Sequence, residues 1–214
     1  MSSRGPECKP TKEALEIIDE LHKEGKELDK DDDRFLDIMN NIASPEGMEL
    51  LDFGVSRIAF ILPERFVEGR DGSCVVKISY TSSVTQNMIE VKNDYIIRQY
   101  APDEIRSKFI PLGSYDKQKY IWVTMPEGTR PGLGEIMGSP WEDVNDLFDR
   151  TLYRLTDIGP GNMMKYNDRW VIIDYGLPFM GFLGVMDNVQ FVRRDIKEQI
   201  YFTEIGVPTD RKFP

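Results

Sequence analysis

Histidine is almost absent from this chain of 214 residues, because His22 is the only one. A Ser-His-Asp triad, a Cys-His pair or a histidine-rich zinc site would each depend on that single side chain. His22 falls near the apolar face of a predicted helix, where we expect a packing or surface role. Carboxylates, amides and lysines are therefore the groups in which to look for chemistry.

Cysteine and long apolar runs are also scarce. Two cysteines, Cys8 and Cys74, are too few for the disulfide framework of a small secreted domain, so we expect a reducing, cytoplasmic location. We expect Cys74 to be a buried apolar side chain rather than a reactive thiol. No apolar run reaches the roughly 18 residues of a membrane span, and residues 1–6 lead into charged sequence. The sequence thus predicts neither a membrane span nor a signal peptide.

An excess of positive charge is missing as well. Lys and Arg number 27 and Asp and Glu 37, so the net charge is 27 − 37 = −10. A protein that binds the phosphate backbone of a nucleic acid needs a basic face, so we expect no nucleic-acid partner. A single nucleotide needs only one local positive site and is compatible with this charge.

Three segments follow from the hydrophobic periodicity. Residues 1–46 predict a helical extension, with helices over 11–26 and 34–43, which either packs on the next segment or serves as a docking arm. The next segment predicts three strands over 48–53, 56–62 and 73–80, a helix over 84–100, and two further strands over 109–114 and 120–125. Residues 128–214 predict a helix over 141–155 and a hairpin over 163–173. These elements indicate an α+β fold.

The stretch from Asp157 to Asp174 combines three oxygen-bearing side chains. Asp157 lies in a Gly/Pro loop, Asn162 follows five residues later, and Asp174 ends the predicted hairpin. Because the residues that flank a hairpin are neighbours, we expect Asn162 and Asp174 at the same end. Carboxylate and amide oxygens suit Mg²⁺, which also takes phosphate oxygens as ligands. The alternative is ordinary turn chemistry, in which Asp, Asn and Gly are common.

Lys77 lies within an apolar run, Cys74-Val75-Val76-Lys77-Ile78. A lysine in such a strand must either reach a polar group or protect an exposed sheet edge. Glu90, on the following helix, is the candidate partner for it. Asp94, one helical turn later, is the competitor of Glu90 for this pairing.

Together these residues resemble the motifs of the protein-kinase-like superfamily. Val75-Val76-Lys77 resembles its V-A-I-K strand, and Glu90 resembles its helix-C glutamate. Asp157 and Asn162 match the D-x-x-x-x-N of the catalytic loop, and Asp174-Tyr175-Gly176 resembles D-F-G. Residues 120–128 resemble the fifth strand and hinge, and residues 51–60 resemble the phosphate loop. The resemblance covers residues 48–176.

The resemblance implies a two-lobed protein-kinase-like fold, with an antiparallel N-lobe sheet over residues 47–127 and a strongly reduced C-lobe over 128–214. It implies ATP and Mg²⁺ as cofactors, with Asn162 and Asp174 as metal ligands. Asp157 would orient or deprotonate the acceptor hydroxyl, and Lys77, fixed by Glu90, would contact the α- and β-phosphates. The residues implied to bind the nucleotide are Gly54, Ser56, Lys77, Glu90, Met125 and Glu127.

The chain departs from the family in two places. Its phosphate loop keeps Gly54 but has Asp52 and Arg57 where the family has glycines, and Ser56 and Arg57 are the candidate substitutes. Only 214 − 176 = 38 residues follow Gly176, so we expect no large helical lobe for protein substrates.

These features predict an Mg·ATP-dependent phosphotransferase that acts on a protein or small-molecule hydroxyl. Reduced cores of this kind are associated with viruses and archaea, and for a viral source the expected location is the host cytoplasm. One alternative is a pseudokinase that binds nucleotide, docks a protein partner, or does both. A second alternative is transfer of the nucleotidyl group, which the sequence does not separate from phosphotransfer.

Overall fold

The computed structural model describes residues 8–28, 34–54, 56–69, 71–81, 84–100, 103–130 and 162–175. Within them the fold is α+β, with antiparallel sheets and a few helices. The chain divides into two compact units: the first comprises Met1–Met88 and Pro111–Glu127, and the second comprises Ile89–Ile110 and Gly128–Pro214. The helix predicted over 141–155 lies outside the described residues. No described helix is long and apolar enough to cross a membrane.

The first unit contains a four-stranded antiparallel sheet. Its strands are β2 (Glu49–Phe53), β3 (Arg57–Leu62), β5 (Cys74–Ser79) and β6 (Trp122–Pro126), in the spatial order β2-β3-β5-β6. A separate pair joins β1 (Lys9–Pro10) to β4 (Val67–Glu68). The strands predicted over 48–53, 56–62, 73–80 and 120–125 are confirmed to within two residues, whereas the short β1 and β4 carry no sequence signal.

Two helices cover one face of this sheet. They are α1 (Lys12–Glu27) and α2 (Phe35–Ala43), which confirms both helices predicted for residues 1–46. Ile58 pairs with Ile78 and Phe60 with Val76, so these side chains share the face that the helices cover. The N-terminal helices therefore pack on the sheet. The core that they form with it includes Ala14, Ile18, Leu21, Phe35, Met39, Ile58, Phe60, Leu62, Val76 and Ile78.

Two local contacts explain where α1 begins and how closely it packs on the sheet. Thr11 caps its first turn, because its hydroxyl oxygen accepts a hydrogen bond from the Ala14 N–H at 3.2 Å. Gly25 is buried near the other end, and a Cβ atom there would lie 2.5 Å from Cβ of Tyr80. Only glycine lets the helix approach the end of β5 this closely.

The two cysteines are joined in a disulfide bond, and both are fully buried. The predicted burial of Cys74 is confirmed, but the residue is half of a disulfide rather than a small apolar side chain, and the pairing was not predicted. The backbone at Cys8 is held in place, since its carbonyl accepts hydrogen bonds from Thr124 Oγ1 at 2.5 Å and Ser114 Oγ at 2.8 Å. The partners lie 66 residues apart, and that spacing gives no sign of the pairing.

The fifth strand predicted over 109–114 is wrong, because this segment divides at Pro111 between two sets of partners. Beyond the proline, the Gly113 N–H donates to the Thr124 carbonyl at 2.8 Å, which places this part alongside β6. Before it, the Ile110 N–H donates to the Ile172 carbonyl at 3.0 Å, within the second unit. Pro111 has no N–H with which to continue either ladder.

The described residues of the second unit form a hairpin, most of one helix and a second, short helix. Helix α3 (Thr85–Tyr100) begins in the first unit and continues into the second, where the unpredicted α4 (Asp103–Arg106) follows. Strands β7 (Met163–Tyr166) and β8 (Arg169–Ile172) form the predicted hairpin. Its turn has Asn167 at φ 50° and Asp168 at φ 59°, as a two-residue turn of this kind requires.

Candidate functional site

Lys77 occupies an interior strand of the sheet. It lies on β5, between Ala59 of β3 and Val123 of β6, and only 7% of its surface is exposed. The alternative that Lys77 protects a sheet edge is therefore wrong, because β5 has a neighbour on each side. An ammonium group at such a position is costly to bury unless a polar or anionic group accompanies it.

The sheet face that carries Lys77, which we call the Lys77 face, also carries Arg57, Ser79 and Asp52, because Arg57 pairs with Ser79 and Asp52 with Ala59. It is the face opposite α1 and α2, because side chains alternate along each strand. Val75 lies two residues before Lys77 on β5 and pairs with Met125 of β6. The apolar residues around the lysine on the Lys77 face are therefore Ala59, Val75, Val123 and Met125, and Ser79 follows it on the same strand.

Helix α3 carries both candidate partners of Lys77. Glu90 is completely buried. Asp94 is only partly buried, and its carboxylate accepts hydrogen bonds from Arg98 Nε at 3.0 Å and from the Tyr175 hydroxyl at 3.1 Å. Asp94 is thus engaged in hydrogen bonds within the second unit. The pairing of Lys77 with Glu90 stays a prediction.

Polar groups of the turn between β2 and β3 form hydrogen bonds with other groups of the protein. The Gly54 N–H donates to the Arg57 carbonyl at 2.8 Å, and the Tyr80 hydroxyl donates to the Gly54 carbonyl. The Ser56 hydroxyl donates to Oε1 of Gln86 on α3. Gly54 and Ser56 are thus both hydrogen-bonded to other residues of the protein. Their roles in nucleotide binding stay predictions.

Arg57, the other candidate substitute for a glycine of the loop, is buried. Its guanidinium donates to Asn87 Oδ1 at 3.2 Å. Nδ2 of Asn87 in turn donates to the carbonyls of Tyr120 and Ile121 at 2.9 and 2.8 Å. Arg57 therefore anchors the β2–β3 turn to the start of α3, which the sequence did not predict.

Of the two hinge candidates, Met125 is buried within β6 and Glu127 follows that strand. Oε2 of Glu127 accepts a hydrogen bond from the Ser73 hydroxyl, and its backbone N–H donates to the Ser73 carbonyl at 3.4 Å. This contact ties the end of β6 to the start of β5. The expected contacts of Met125 and Glu127 with an adenine ring stay predictions.

The open end of the hairpin brings Asn162 and Asp174 close in the fold, as predicted. The Ile173 N–H donates to the Asn162 carbonyl at 2.9 Å, which extends the β7–β8 ladder by one pair. Asp174 is the next residue, and both candidate ligands are partly exposed. Carboxylate and amide oxygens suit a hard cation such as Mg²⁺, and joint binding of a metal ion by Asn162 and Asp174 stays a prediction.

Tyr175, which follows Asp174, is buried and hydrogen-bonded at both ends. Its carbonyl accepts from Asn93 Nδ2 at 2.6 Å, and its hydroxyl lies 2.8 Å from the Ile110 carbonyl. Its ring meets Phe109 edge-on, with centroids 5.4 Å apart. Burial, and next the carboxylate of Asp94, raise the pKa of Tyr175 well above its ordinary value. Smaller contributions come from Arg98, which lowers this pKa, and Glu90, which raises it.

Asp157, the predicted catalytic carboxylate, lies outside the described residues. Among the residues that are described, no group of three or more His, Cys, Asp and Glu side chains is placed to hold a metal ion. Asn162 and Asp174 fit Mg²⁺ by the chemistry of their oxygen atoms. As ligands they would account for two positions rather than a complete coordination shell.

Sequence reasoning missed the asparagines that organise α3. Asn87 and Asn93 are both buried and bonded to backbone carbonyls of other elements. Asparagine is a poor residue for a helix interior. Two of them on one predicted helix were the only available signal that the helix carries structural hydrogen bonds on its buried side.

Comparison of the sequence with models of known protein families gives no match, and comparison with curated proteins gives none either.

Proposed function

We propose that this chain is a protein-kinase-like phosphotransferase that uses Mg·ATP. The observation that carries the proposal is Lys77, a nearly buried lysine on an interior strand, on a sheet face where its neighbours Ala59, Val75, Val123 and Met125 are apolar. Such a face offers a flat surface to an adenine ring, and the ammonium group offers charge to a phosphate. In this proposal the sheet belongs to an N-lobe, and the hairpin belongs to a strongly reduced C-lobe.

Each candidate residue has a distinct role in the proposed reaction. Lys77 binds the α- and β-phosphates, and Glu90 orients it. Asn162 and Asp174 are the residues that hold the metal, which neutralises charge on the phosphates when it is bound. Asp157 orients the acceptor hydroxyl and accepts its proton. Positioning and charge stabilisation supply the acceleration.

Binding of ATP, measured by calorimetry with and without Mg²⁺, tests the two charged positions separately. Lys77→Met should weaken ATP binding about tenfold or more, since hydrogen bonds to charged groups contribute roughly 1.5–3 kcal/mol. The matched control is Lys119→Met at an exposed lysine of the same unit. Equal ATP affinity of the two variants would contradict the role of Lys77.

The metal site is tested by the same substitution at opposite ends of one hairpin. Asp174→Asn should remove the dependence of ATP binding on Mg²⁺. Asp168→Asn, in the exposed turn, should retain it, because Asn also tolerates a positive φ. A magnesium dependence that survives Asp174→Asn would exclude this carboxylate as a ligand.

A pseudokinase is the second candidate function, and the β2–β3 turn favours it. The N–H of Gly54 and the hydroxyl of Ser56 are engaged in hydrogen bonds within the protein. A phosphate would have to compete with these bonds, whereas a phosphate loop ordinarily offers backbone N–H groups. This arrangement fits a chain that binds nucleotide weakly and docks a protein partner instead.

The products formed from Mg·ATP separate the candidate reactions. ADP, or label transferred from the γ-phosphate, indicates phosphotransfer. Release of pyrophosphate with label from the α-phosphate indicates nucleotidyl transfer. If binding occurs and neither product forms, the pseudokinase is the better description. In an active chain, Asp157→Asn should keep ATP binding and lose turnover, whereas loss of both would indicate a structural role.

A further inference from the structure

The residue after Asp174 is tethered to two other segments of the second unit. Asn93 of α3 donates to the Tyr175 carbonyl at 2.6 Å, and this bond is buried. At the tip of the side chain, the Tyr175 hydroxyl has two acceptors within reach, the Ile110 carbonyl at 2.8 Å and Asp94 Oδ1 at 3.1 Å. Both the backbone and the side-chain tip of Tyr175 are therefore fixed.

The residue before Asp174 is fixed as well. The Ile173 N–H donates to the Asn162 carbonyl at 2.9 Å, and Ile173 is buried. One step earlier, the Ile172 N–H donates to the Lys108 carbonyl at 2.8 Å. Asp174 is thus the partly exposed residue between two buried neighbours whose positions are set by hydrogen bonds.

We propose that Asn93 and Tyr175 are positioning residues that hold the carboxylate of Asp174 at the open end of the hairpin. This inference rests on the proposed function for the metal-binding role of Asp174. It goes beyond that function in assigning the placement of the carboxylate to a polar tether from α3. Arg98 supports the tether, because its Nε donates to the carboxylate of Asp94 that faces Tyr175.

The consequence for function is a fixed metal ligand. A carboxylate on a mobile residue loses conformational entropy when it binds a cation, whereas a pre-ordered one loses little. Loosening Tyr175 should therefore weaken the binding of Mg²⁺. It should leave the binding of ATP without Mg²⁺ unchanged, since that depends on the Lys77 face.

Hydrogen exchange of the Ile173 amide in the free protein tests the tether without any ligand. Tyr175→Phe removes the hydroxyl and keeps the ring against Phe109, and Asn93→Ala removes the amide donor. Each change removes hydrogen bonds of roughly 1 kcal/mol and should accelerate exchange at Ile173 about fivefold. The matched controls are Tyr166→Phe on β7 and Asn41→Ala on the exposed side of α2, which should leave this rate unchanged.

Titration of Mg²⁺ at saturating ATP tests the functional consequence. Both tether variants should bind Mg²⁺ about fivefold or more weakly, with ATP affinity in the absence of Mg²⁺ as in the unaltered protein. Equal loss of both affinities would indicate general destabilisation and overturn the positioning role. Unchanged exchange at Ile173 in both tether variants would overturn the tether itself.

The two proposals fail in distinguishable ways. If the unaltered protein shows no magnesium-dependent ATP binding, the proposed function is overturned. The exchange rates at Ile173 then still decide whether Asn93 and Tyr175 fix the residues around Asp174. If Mg²⁺ binds but the tether variants exchange like the controls, the function stands and the inference is overturned.

Discussion

Removal of the disulfide between Cys8 and Cys74 should cost the protein much of its stability. The bond joins the segment before β1 to the start of β5, the strand that carries Lys77. Both cysteines are fully buried, and two hydroxyl groups hold the Cys8 carbonyl in place. The cross-link therefore connects the N-terminal segment to the centre of the four-stranded sheet.

The magnitude follows from the length of the closed loop. In the chain-entropy model, a sequence separation of 66 corresponds to about 4 kcal/mol of stability at 25 °C. For a protein of this size, each kcal/mol shifts the melting temperature by roughly 2–4 °C. Reduction should therefore lower the melting temperature of the unit that contains the sheet by roughly 8–16 °C.

Thermal unfolding with and without a phosphine reductant measures this effect. A thiol assay in denaturant should first find no free thiol before reduction and two afterwards. The double variant Cys8→Ala/Cys74→Ala should melt lower than the oxidised protein and should not respond to the reductant. Two free thiols in protein purified under oxidising conditions, or a shift within 1 °C, would refute the reasoning. Because such bonds persist mainly in oxidising compartments, the pair weighs against the expected cytoplasmic location.

Two further substitutions test the packing and the buried phenol. Gly25→Ala should destabilise the protein by about 1–3 kcal/mol in denaturant unfolding, because the new methyl group overlaps Tyr80; no loss would show that α1 sits further from β5. The raised pKa of Tyr175 means that the folded protein keeps a proton that the unfolded chain loses near pH 10, so stability should fall as pH rises above about 10. The Tyr175→Phe variant should not show this additional loss of stability at high pH. Equal dependence of stability on pH in the two proteins from pH 9 to 11.5 would contradict the prediction.

Local patterns were sufficient to predict most of the described elements. Alternation and continuous apolar runs indicated the sheet strands, and helical periodicity indicated α1, α2 and α3. The turn residues Asn167 and Asp168 marked the hairpin, and the hairpin in turn placed Asn162 beside Asp174. Each of these features depends on residues close together in the sequence.

Features that depend on distant residues were missed. The pairing of Cys8 with Cys74 joins residues 66 positions apart, which no local pattern links. The division of residues 109–114 depends on two separate neighbours, and Pro111 alone did not reveal it. The bond of Ser56 to Gln86 requires α3 to pack beside the β2–β3 turn, and the bond of Gly54 to the Tyr80 hydroxyl joins residues that are distant in the sequence. Interior placement of Lys77 likewise required knowledge of the strand order.

A thermal shift with ATP, in the presence and absence of Mg²⁺, tests the central claim most directly. At about 100 times its Kd, a ligand stabilises a protein by roughly 2.7 kcal/mol, which corresponds to roughly 5–10 °C here. The account predicts a magnesium-dependent shift in the unaltered protein and in Lys119→Met, with a much smaller shift in Lys77→Met. No shift at millimolar ATP in any of the three proteins would contradict the nucleotide site and favour a docking protein.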